Sequence, residues 1–193
     1  MAAVAADSAL RDLFRTWGVK DSKAFGGPES GIPKRAALAE KIKAAARVEI
    51  EVVTPQDVDL LGIDEAERRA GRRLLRRLKV ENWEKIVCDG KRIFGILARD
   101  FPRLEALDKA DSLEITVSAA SIMAKHRRDL EWARIRDLYE PEFGPLRGGG
   151  YPNRPTVKFL RSYFQSRGDL PPEARRSWGP CRDLLQGVLI PWA

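Results

Sequence analysis

The feature that most constrains the fold is the alternation of short strand-like segments with longer amphipathic helices. A strand is indicated where apolar and polar residues alternate, as in RVEIEVVT at 47–54, and where a short apolar run ends in a turn, as in WEKIVCDG at 83–90. Apolar side chains three and four residues apart predict helices between these segments. Because strands separated by helices are typical of the α/β class, we expect an α/β fold.

The same two patterns, alternation for strands and a spacing of three and four residues for helices, predict the remaining elements. The apolar stretch at 1–6 is interpreted as the end of a buried strand, and residues 104–107 as another brief strand. Helices are predicted at residues 8–17, 33–45, 64–79, 117–139 and after the loop RGGGYPNRP at 147–155. Asp64 and Glu67 have the spacing of a helix-start capping box, so we interpret Asp64 as a helix cap.

The length and composition predict one domain. A chain of 193 residues with 44% hydrophobic residues can fill one core, and no repeat or low-complexity linker divides it. We expect a single domain over 1–193, with the sheet and helices in about 1–140 and a carboxyl-terminal, substrate-contacting extension in about 141–193.

Cys88 and Cys181 lack Cys-x-x-Cys spacing, which indicates neither a zinc site nor a disulfide framework. With no membrane-spanning run and no signal peptide, we predict a cytoplasmic location.

The net charge of +7 favours a polyanionic partner, and nucleic acid is the obvious candidate. The alternative is that the Arg-rich helices simply have basic, solvated faces. Charge alone leaves both interpretations open.

Two carboxylates follow predicted strands. Asp89 ends an apolar strand and is followed by Gly90, and Asp111 follows the next strand. Carboxylates at neighbouring strand ends can share a hard divalent cation such as Mg²⁺ at the edge where α/β folds bind ligands. The alternative is one turn former and one helix cap, and Asp is common in both positions.

Further residues are candidates for contact with an anion or a base. Ser118, Ser121 and Lys125 lie near the start of a predicted helix, where a phosphate can bind, although the serines can equally cap and pack. Lys23, with Lys20, offers a second phosphate contact or is merely exposed. In addition, Tyr151 follows three glycines and is suited either to stacking on a sugar or base or to covering the core, and His126 is interpreted as a surface helix residue.

Five segments, taken in order, resemble the motifs of the type 2 ribonuclease H family. They are GVKDSKAF at 18–25, IVCDGKRIF at 86–94, KADSLEITVSAASIMAKHRRD at 109–129, GGGYPNRPTVKFLRSYF at 148–164 and LPPEARRSWGP at 170–180. The resemblance implies a ribonuclease H-like mixed sheet flanked by helices, with a helical carboxyl-terminal part. It further implies a metal-dependent endoribonuclease that cuts the RNA strand of RNA/DNA hybrids, or at ribonucleotides embedded in DNA.

The resemblance also implies the roles of individual residues. In the family, four carboxylates hold two Mg²⁺ or Mn²⁺ ions at the scissile phosphate, and hydrolysis leaves a 5′-phosphate and a 3′-hydroxyl. Asp89 and Asp111 match the third and fourth of these carboxylates. Tyr151 matches a tyrosine that stacks on the sugar at the ribonucleotide junction, while Lys23, Ser121 and Lys125 fall in motifs that contact the nucleic-acid backbone. We expect a monomer without a membrane partner.

The sequence departs from the family pattern at its start. The family has a central first strand ending in DEAGRG, which supplies the first two carboxylates, and nothing before Gly18 matches it. The DEA triplet at 64–66 is rejected as a substitute because it heads an Arg-rich helix after the third strand. We therefore expect an upstream segment to be missing, two strand edges to be unpaired and the chain as written to have little activity. A trimmed chain, a divergent sheet, a non-catalytic hybrid-binding protein and a structural module are the alternatives.

Overall fold

The computed structural model describes residues 1–20, 30–80, 83–147 and 153–187. The strands are β1 (Ala2–Ala5), β2 (Arg47–Ile50), β3 (Ile86–Asp89) and β4 (Leu104–Leu107). The α-helices are α1 (Ser8–Thr16), α2 (Ile32–Ala45), α3 (Pro55–Leu61), α4 (Ile63–Leu78), α5 (Lys91–Phe94), α6 (Ala110–Leu113), α7 (Ile115–Phe143), α8 (Arg154–Arg167) and α9 (Gly179–Leu185). A 3₁₀ helix, Gly95–Arg99, follows α5. The α/β class is therefore confirmed.

The described strands form two pairs. β1 and β2 are antiparallel, with Ala2 opposite Ile50, and β3 and β4 are parallel, with Asp89 opposite Leu107. Each pair is a separate two-stranded sheet within the described part of the chain. Within the described ranges, β1 and β3 each pair with one strand only, in agreement with the expectation of unpaired edges.

The chain divides into two compact units. The first comprises residues 1–53 and 64–127, and the second comprises residues 54–63 and 128–193. Helix α7 begins in the first unit and ends in the second. The predicted division near residue 141 and the single domain stay predictions.

In the first unit, β1 is covered on both of its faces. Ala2, Val4 and Ala6 pack against a cluster that includes Phe14 and Ile42. Met1, Ala3 and Ala5 pack against a second cluster, made of residues such as Leu75, Ile86, Leu97 and Leu104. A strand with apolar contacts on both faces is typical of the interior of a sheet, which explains why the segment carries no alternation of polar residues.

The second unit has an aromatic core and a loop that hydrogen bonds hold to α3. Tyr139, Phe143, Phe159 and Tyr163 form edge-to-face and tilted ring contacts with centroids 5.3–6.5 Å apart. The Asp59 carboxylate accepts hydrogen bonds from the backbone N–H groups of Arg176 and Ser177, at 2.8 and 2.9 Å, and from the Ser177 hydroxyl at 2.5 Å. These bonds fix the ARRSW segment to α3.

Two sequence predictions need correction in this region. The prediction omitted α3, although its start has local signals: Thr54 caps it, and Asp57 completes a capping box three residues later. Asp64 was interpreted as a helix cap, but α4 begins at Ile63, so Asp64 lies in its first turn. Its carboxylate binds both terminal nitrogens of the Arg92 guanidinium instead.

The long helix α7 also runs further than predicted. It was expected to close at the breakers from Pro141 onward, yet Pro141 lies inside the helix and the last helical residue is Phe143. Gly144, with φ of 76°, then ends it by adopting the left-handed conformation that suits glycine. Helices α1, α2 and α4 and strand β4 agree with their predicted bounds to within one or two residues, whereas β2 ends at Ile50 rather than Thr54 and β3 begins at Ile86 rather than Trp83. The short helices α5, α6 and α9 were not predicted.

Candidate active site

Two turns at the carboxyl ends of β3 and β4 form the candidate site. β3 ends at Asp89, and β4 ends opposite it at Leu107. The chain turns at once after β3 because Gly90 adopts φ of 106°, and the Gly90 N–H donates to the Leu107 carbonyl at 2.8 Å. Asp111 follows in α6. Parallel pairing therefore places both candidate carboxylates at one edge of the sheet.

The two carboxylates have different surroundings. The Asp89 side chain is exposed, and its Oδ1 accepts the Ala110 N–H at 2.9 Å. Asp111 is buried, with only 7% of its surface exposed. Both residues line one cavity of about 450 Å³ within the first unit. The structure thus brings together the two acidic residues that the sequence singled out.

Two side-chain hydrogen bonds hold the turn that carries Asp111. The Asp108 carboxylate accepts the Lys91 N–H at 3.0 Å, which joins the two turns a second time. The Ser118 hydroxyl donates to the Asp111 carbonyl at 2.5 Å, and Ser118 is itself buried. Ser118 therefore serves packing and hydrogen bonding within the protein, which is the structural alternative named for it above.

The cavity lies along two strands. All residues of β1 and β3 line it, together with Ser121 and Ala124 of α7 and Leu74 and Leu75 of α4. Since β1 and β3 each lack a strand neighbour on one side among the described residues, the cavity is bordered by backbone that can accept another strand.

Asp111 also lines a second cavity. It has a volume of about 430 Å³, and Arg11, Arg15 and Lys20 line it together with Asp111. Arg11 lines both cavities. Sequence reasoning missed Arg11 and Arg15, although their spacing of four residues puts them on one face of α1. Basic side chains beside a buried carboxylate suit a phosphate held close to a metal site.

The remaining predicted site residues are placed as follows. Ser121 lines the first cavity and is half-buried, and Lys125 lies one turn further along α7, also half-buried and with interactions of its own. Lys23 and Tyr151 lie outside the described residues. His126, expected at the surface, is half-buried, and its ring Nδ1 is buried without a hydrogen-bond partner among the described residues.

Charged residues next to the site are paired within the protein. A hydrogen bond from Arg92 lowers the pKa of Asp64, and one from Arg69 lowers the pKa of Glu65, so both carboxylates of the DEA triplet are committed to ion pairs on the surface of α4. Cys88, which lines the cavity beside Asp89, has its pKa raised to about 11 by burial. Its thiol is therefore neutral and unsuited to nucleophilic chemistry at neutral pH.

The donor set fits a hard divalent cation in part. Two carboxylates beside a cavity of about 450 Å³ are ligands that Mg²⁺ or Mn²⁺ accepts while keeping several waters and a substrate phosphate. However, no group of three or more His, Cys, Asp or Glu side chains that could hold a metal occurs within the described ranges. Asp89 and Asp111 can therefore contribute to binding one ion, and the described residues group no third acidic side chain with them.

Comparison with known proteins supports one family. The family model described as Ribonuclease HII matches residues 1–181. The Ribonuclease HII of Thermococcus sibiricus is 35% identical over 198 residues, which cover 92% of this chain and 80% of that relative. No helix among the described residues is long and apolar enough to cross a membrane.

Solved structures agree on the fold. The ribonuclease H2 of Pyrococcus horikoshii OT3 superposes with a TM-score of 0.75 at 25% identity, covering 96% of this chain and 97% of that one. Bst-RNase HIII in complex with Mn²⁺ gives a TM-score of 0.70 at 21% identity, covering 96% of this chain and 63% of that one, and this likeness concerns the fold alone. The predicted ribonuclease H-like fold is confirmed.

Proposed function

The chain belongs to the ribonuclease HII family, and from that premise we propose that it is an endonuclease for the RNA strand of RNA/DNA hybrids, including ribonucleotides embedded in DNA. Hydrolysis yields a 5′-phosphate and a 3′-hydroxyl. The observation that carries this proposal is the meeting of Asp89 and Asp111 in one cavity at the ends of two parallel strands.

Asp89 and Asp111 are proposed to hold Mg²⁺ or Mn²⁺. The bound ions supply activation of the attacking water and stabilisation of charge at the leaving oxygen. The exposed Asp89 carboxylate faces substrate and solvent, while the buried Asp111 is fixed by the bond from Ser118 to its carbonyl. The Mn²⁺ seen in Bst-RNase HIII supports the choice of a hard cation for this fold.

Residues that flank the carboxylates are proposed to bind the nucleic acid. Ser121 in the first cavity and Lys125 beyond it contact the phosphate backbone, as does Lys23, while Tyr151 stacks on the sugar at the ribonucleotide junction. Arg11 and Lys20 in the second cavity extend this basic surface toward Asp111. We also propose that the protein is cytoplasmic and monomeric. Sedimentation of the pure chain measures the oligomeric state.

We further propose that the 193 residues alone have little or no hydrolytic activity. Among the described residues, no third acidic side chain is grouped with Asp89 and Asp111, and the edges of β1 and β3 that border the cavity have no strand partner there. An extended segment that adds a strand there and ends in two carboxylates completes both the sheet and the donor set.

The test uses a DNA duplex that contains a single ribonucleotide. The 193-residue chain is compared with a chain lengthened at its amino end by an apolar strand and a glycine-rich turn containing Asp and Glu. We expect Mg²⁺-dependent cleavage by the longer chain only. Robust cleavage by the shorter chain contradicts the proposal of an incomplete site, and no cleavage by either chain contradicts the enzymatic function.

The Asp89→Asn variant of the longer chain separates catalysis from binding. Because the amide is a poorer metal ligand but preserves the shape of the side chain, we expect cleavage to be lost and affinity for the duplex to be unchanged or increased.

The alternative function, a non-catalytic protein that binds RNA/DNA hybrids, is favoured by the small number of carboxylates; it predicts that Asp89→Asn changes nothing measurable. A protein that binds no nucleic acid lacks the steep salt dependence of affinity that phosphate contacts produce.

A further inference from the structure

The turns after β3 and β4 are joined by a reciprocal pair of side-chain hydrogen bonds. Asp89 of the first turn accepts the Ala110 N–H of the second at 2.9 Å. In return, Asp108 of the second turn accepts the Lys91 N–H of the first at 3.0 Å. We call this pair of bonds the reciprocal clasp. Each turn is thus held by a carboxylate of the other.

Both turns contain a residue in the left-handed region of backbone conformation. Gly90 has φ of 106°, and Lys109 has φ of 58°. A lysine rarely adopts positive φ, because its Cβ approaches the neighbouring carbonyl oxygen. The turn at 108–111 therefore needs hydrogen bonds from outside itself to keep this conformation.

Asp108 is not part of the cavity lining. Among the described residues, the first cavity is lined by Asp89 and Asp111 but not by Asp108, which is exposed. Sequence reasoning, guided by strand ends, selected Asp111 and passed over Asp108, which lies nearer to the end of β4. The contacts give the two residues different tasks.

We propose that Asp108 is a positioning residue: by accepting the Lys91 N–H, it fixes the turn that carries Asp111 relative to Asp89. This inference rests on the proposed function for the claim that the two carboxylates bind a metal. The clasp itself requires only a hydrogen-bond acceptor at residue 108, so a neutral acceptor is sufficient and a negative charge is not needed.

The test compares Asp108→Ala with the matched variant Asp108→Asn. The alanine variant removes the acceptor, while the asparagine side chain retains a carbonyl oxygen that can accept the Lys91 N–H. Amide hydrogen exchange is measured by NMR on the 193-residue chain. We expect exchange at Lys91 and at Ala110 to be about tenfold faster in Asp108→Ala and within about twofold of the unsubstituted protein in Asp108→Asn.

The exchange rate at Ala110 decides whether the two hydrogen bonds of the reciprocal clasp depend on each other. Ala110 makes no bond to Asp108, so its exchange rises only if the loss of one bond loosens the other. An unchanged rate at Ala110 in Asp108→Ala overturns the proposal. The amide of the buried Leu74 in α4 serves as the internal control, since its unchanged rate shows that the core remains folded.

Mn²⁺ binding by the chain lengthened at its amino end, followed by electron paramagnetic resonance of the free ion, tests the consequence for the site. We expect the dissociation constant to rise about tenfold in Asp108→Ala and to stay unchanged in Asp108→Asn, since residues that orient metal ligands affect affinity by roughly this factor or more. Equal losses in both variants indicate a charge or ligand role and overturn the proposal. If the unsubstituted lengthened chain binds no Mn²⁺ while the exchange results hold, the proposed metal function fails and the clasp stands.

Discussion

At the scale of the residue, the two candidate carboxylates show how position in the fold separates identical side chains. Asp89 and Asp111 both follow an apolar strand, so the sequence treats them alike. In the structure, Asp89 is exposed and Asp111 is buried in the first turn after Lys109. Burial limits the directions from which a ligand reaches Asp111, and the exposed Asp89 side chain remains accessible to a large substrate.

Ser118 is predicted to stabilise the site through one buried hydrogen bond. In Ser118→Ala, the Asp111 carbonyl loses the hydroxyl that contacts it at 2.5 Å, and a buried polar group without a partner costs about 1–3 kcal/mol. We therefore expect the free energy of unfolding, measured by urea denaturation, to fall by that amount.

Ser112→Ala is the control for this prediction. The Ser112 hydroxyl makes the same kind of bond, to the Lys109 carbonyl at 2.8 Å, but at an exposed position where water replaces it. A change of less than about 0.5 kcal/mol is expected there. Equal effects of the two substitutions would show that burial does not govern the contribution of Ser118.

At the scale of the element, α4 illustrates how the charges of a helix can be paired with carboxylates of the same protein. Its arginines suggest a surface for nucleic acid, but Arg72 binds Asp100 at 2.8 Å, Arg73 binds Glu51 at 2.6 Å and Arg77 binds Glu51 at 2.6 Å. These cations are already neutralised. The positive charge of α4 is therefore balanced in part by carboxylates of the protein itself.

The packing of α4 against α5 predicts the effect of a single methyl group. A Cβ on Gly71 would meet the Phe94 ring at 3.0 and 3.3 Å. Alanine gains about 1 kcal/mol in helix propensity, but overpacking a core costs about 1–3 kcal/mol. We expect Gly71→Ala to lower the free energy of unfolding by about 1 kcal/mol, measured by thermal or urea denaturation.

Gly95 provides the matched comparison for Gly71. It lies in the neighbouring 3₁₀ helix with φ of −56°, and a Cβ there meets nothing within 4 Å. Gly95→Ala is expected to raise stability by about 0.5 kcal/mol, because alanine has less conformational freedom in the unfolded chain. A stabilising Gly71→Ala would contradict the packing argument.

At the scale of the whole molecule, ion pairs between distant segments predict sensitivity to acid. Burial of the Glu51 carboxylate raises its pKa, but hydrogen bonds from Arg77 and Arg73 outweigh that effect, and the net pKa is lowered. A lowered pKa in the folded state adds stability that is fully present above the unfolded pKa of about 4.3 and is lost as the pH falls through the folded value. We expect the free energy of unfolding to decrease as the pH falls below about 4.3.

Urea denaturation between pH 7 and pH 3 measures this dependence. Glu51→Gln is the comparison, because it keeps the size of the side chain and cannot change charge. Its stability should be lower at pH 7 and should depend less on pH than that of the unsubstituted protein. Parallel pH profiles for the two proteins would exclude Glu51 as a source of the acid sensitivity.

The sequence by itself determined most of the elements and the family. The apolar periods that predict α1, β3 and β4 are local, and local patterns survive any rearrangement of the rest of the chain. The ordered motifs identified the family without any coordinates, and they singled out Asp89 and Asp111. The omitted helix α3 was predictable in the same way, since Thr54 and Asp57 are only three residues apart.

Only the tertiary structure decided which groups meet. The partner of Asp64 is Arg92, 28 residues away, and the clasp joins Lys91 to Asp108 across 17 residues. Such contacts depend on strand pairing and on the packing of helices, which no local period encodes. For the same reason, the sequence could not show that Arg11 and Lys20 would border Asp111, or that Asp108 would hold the turn in which Asp111 lies.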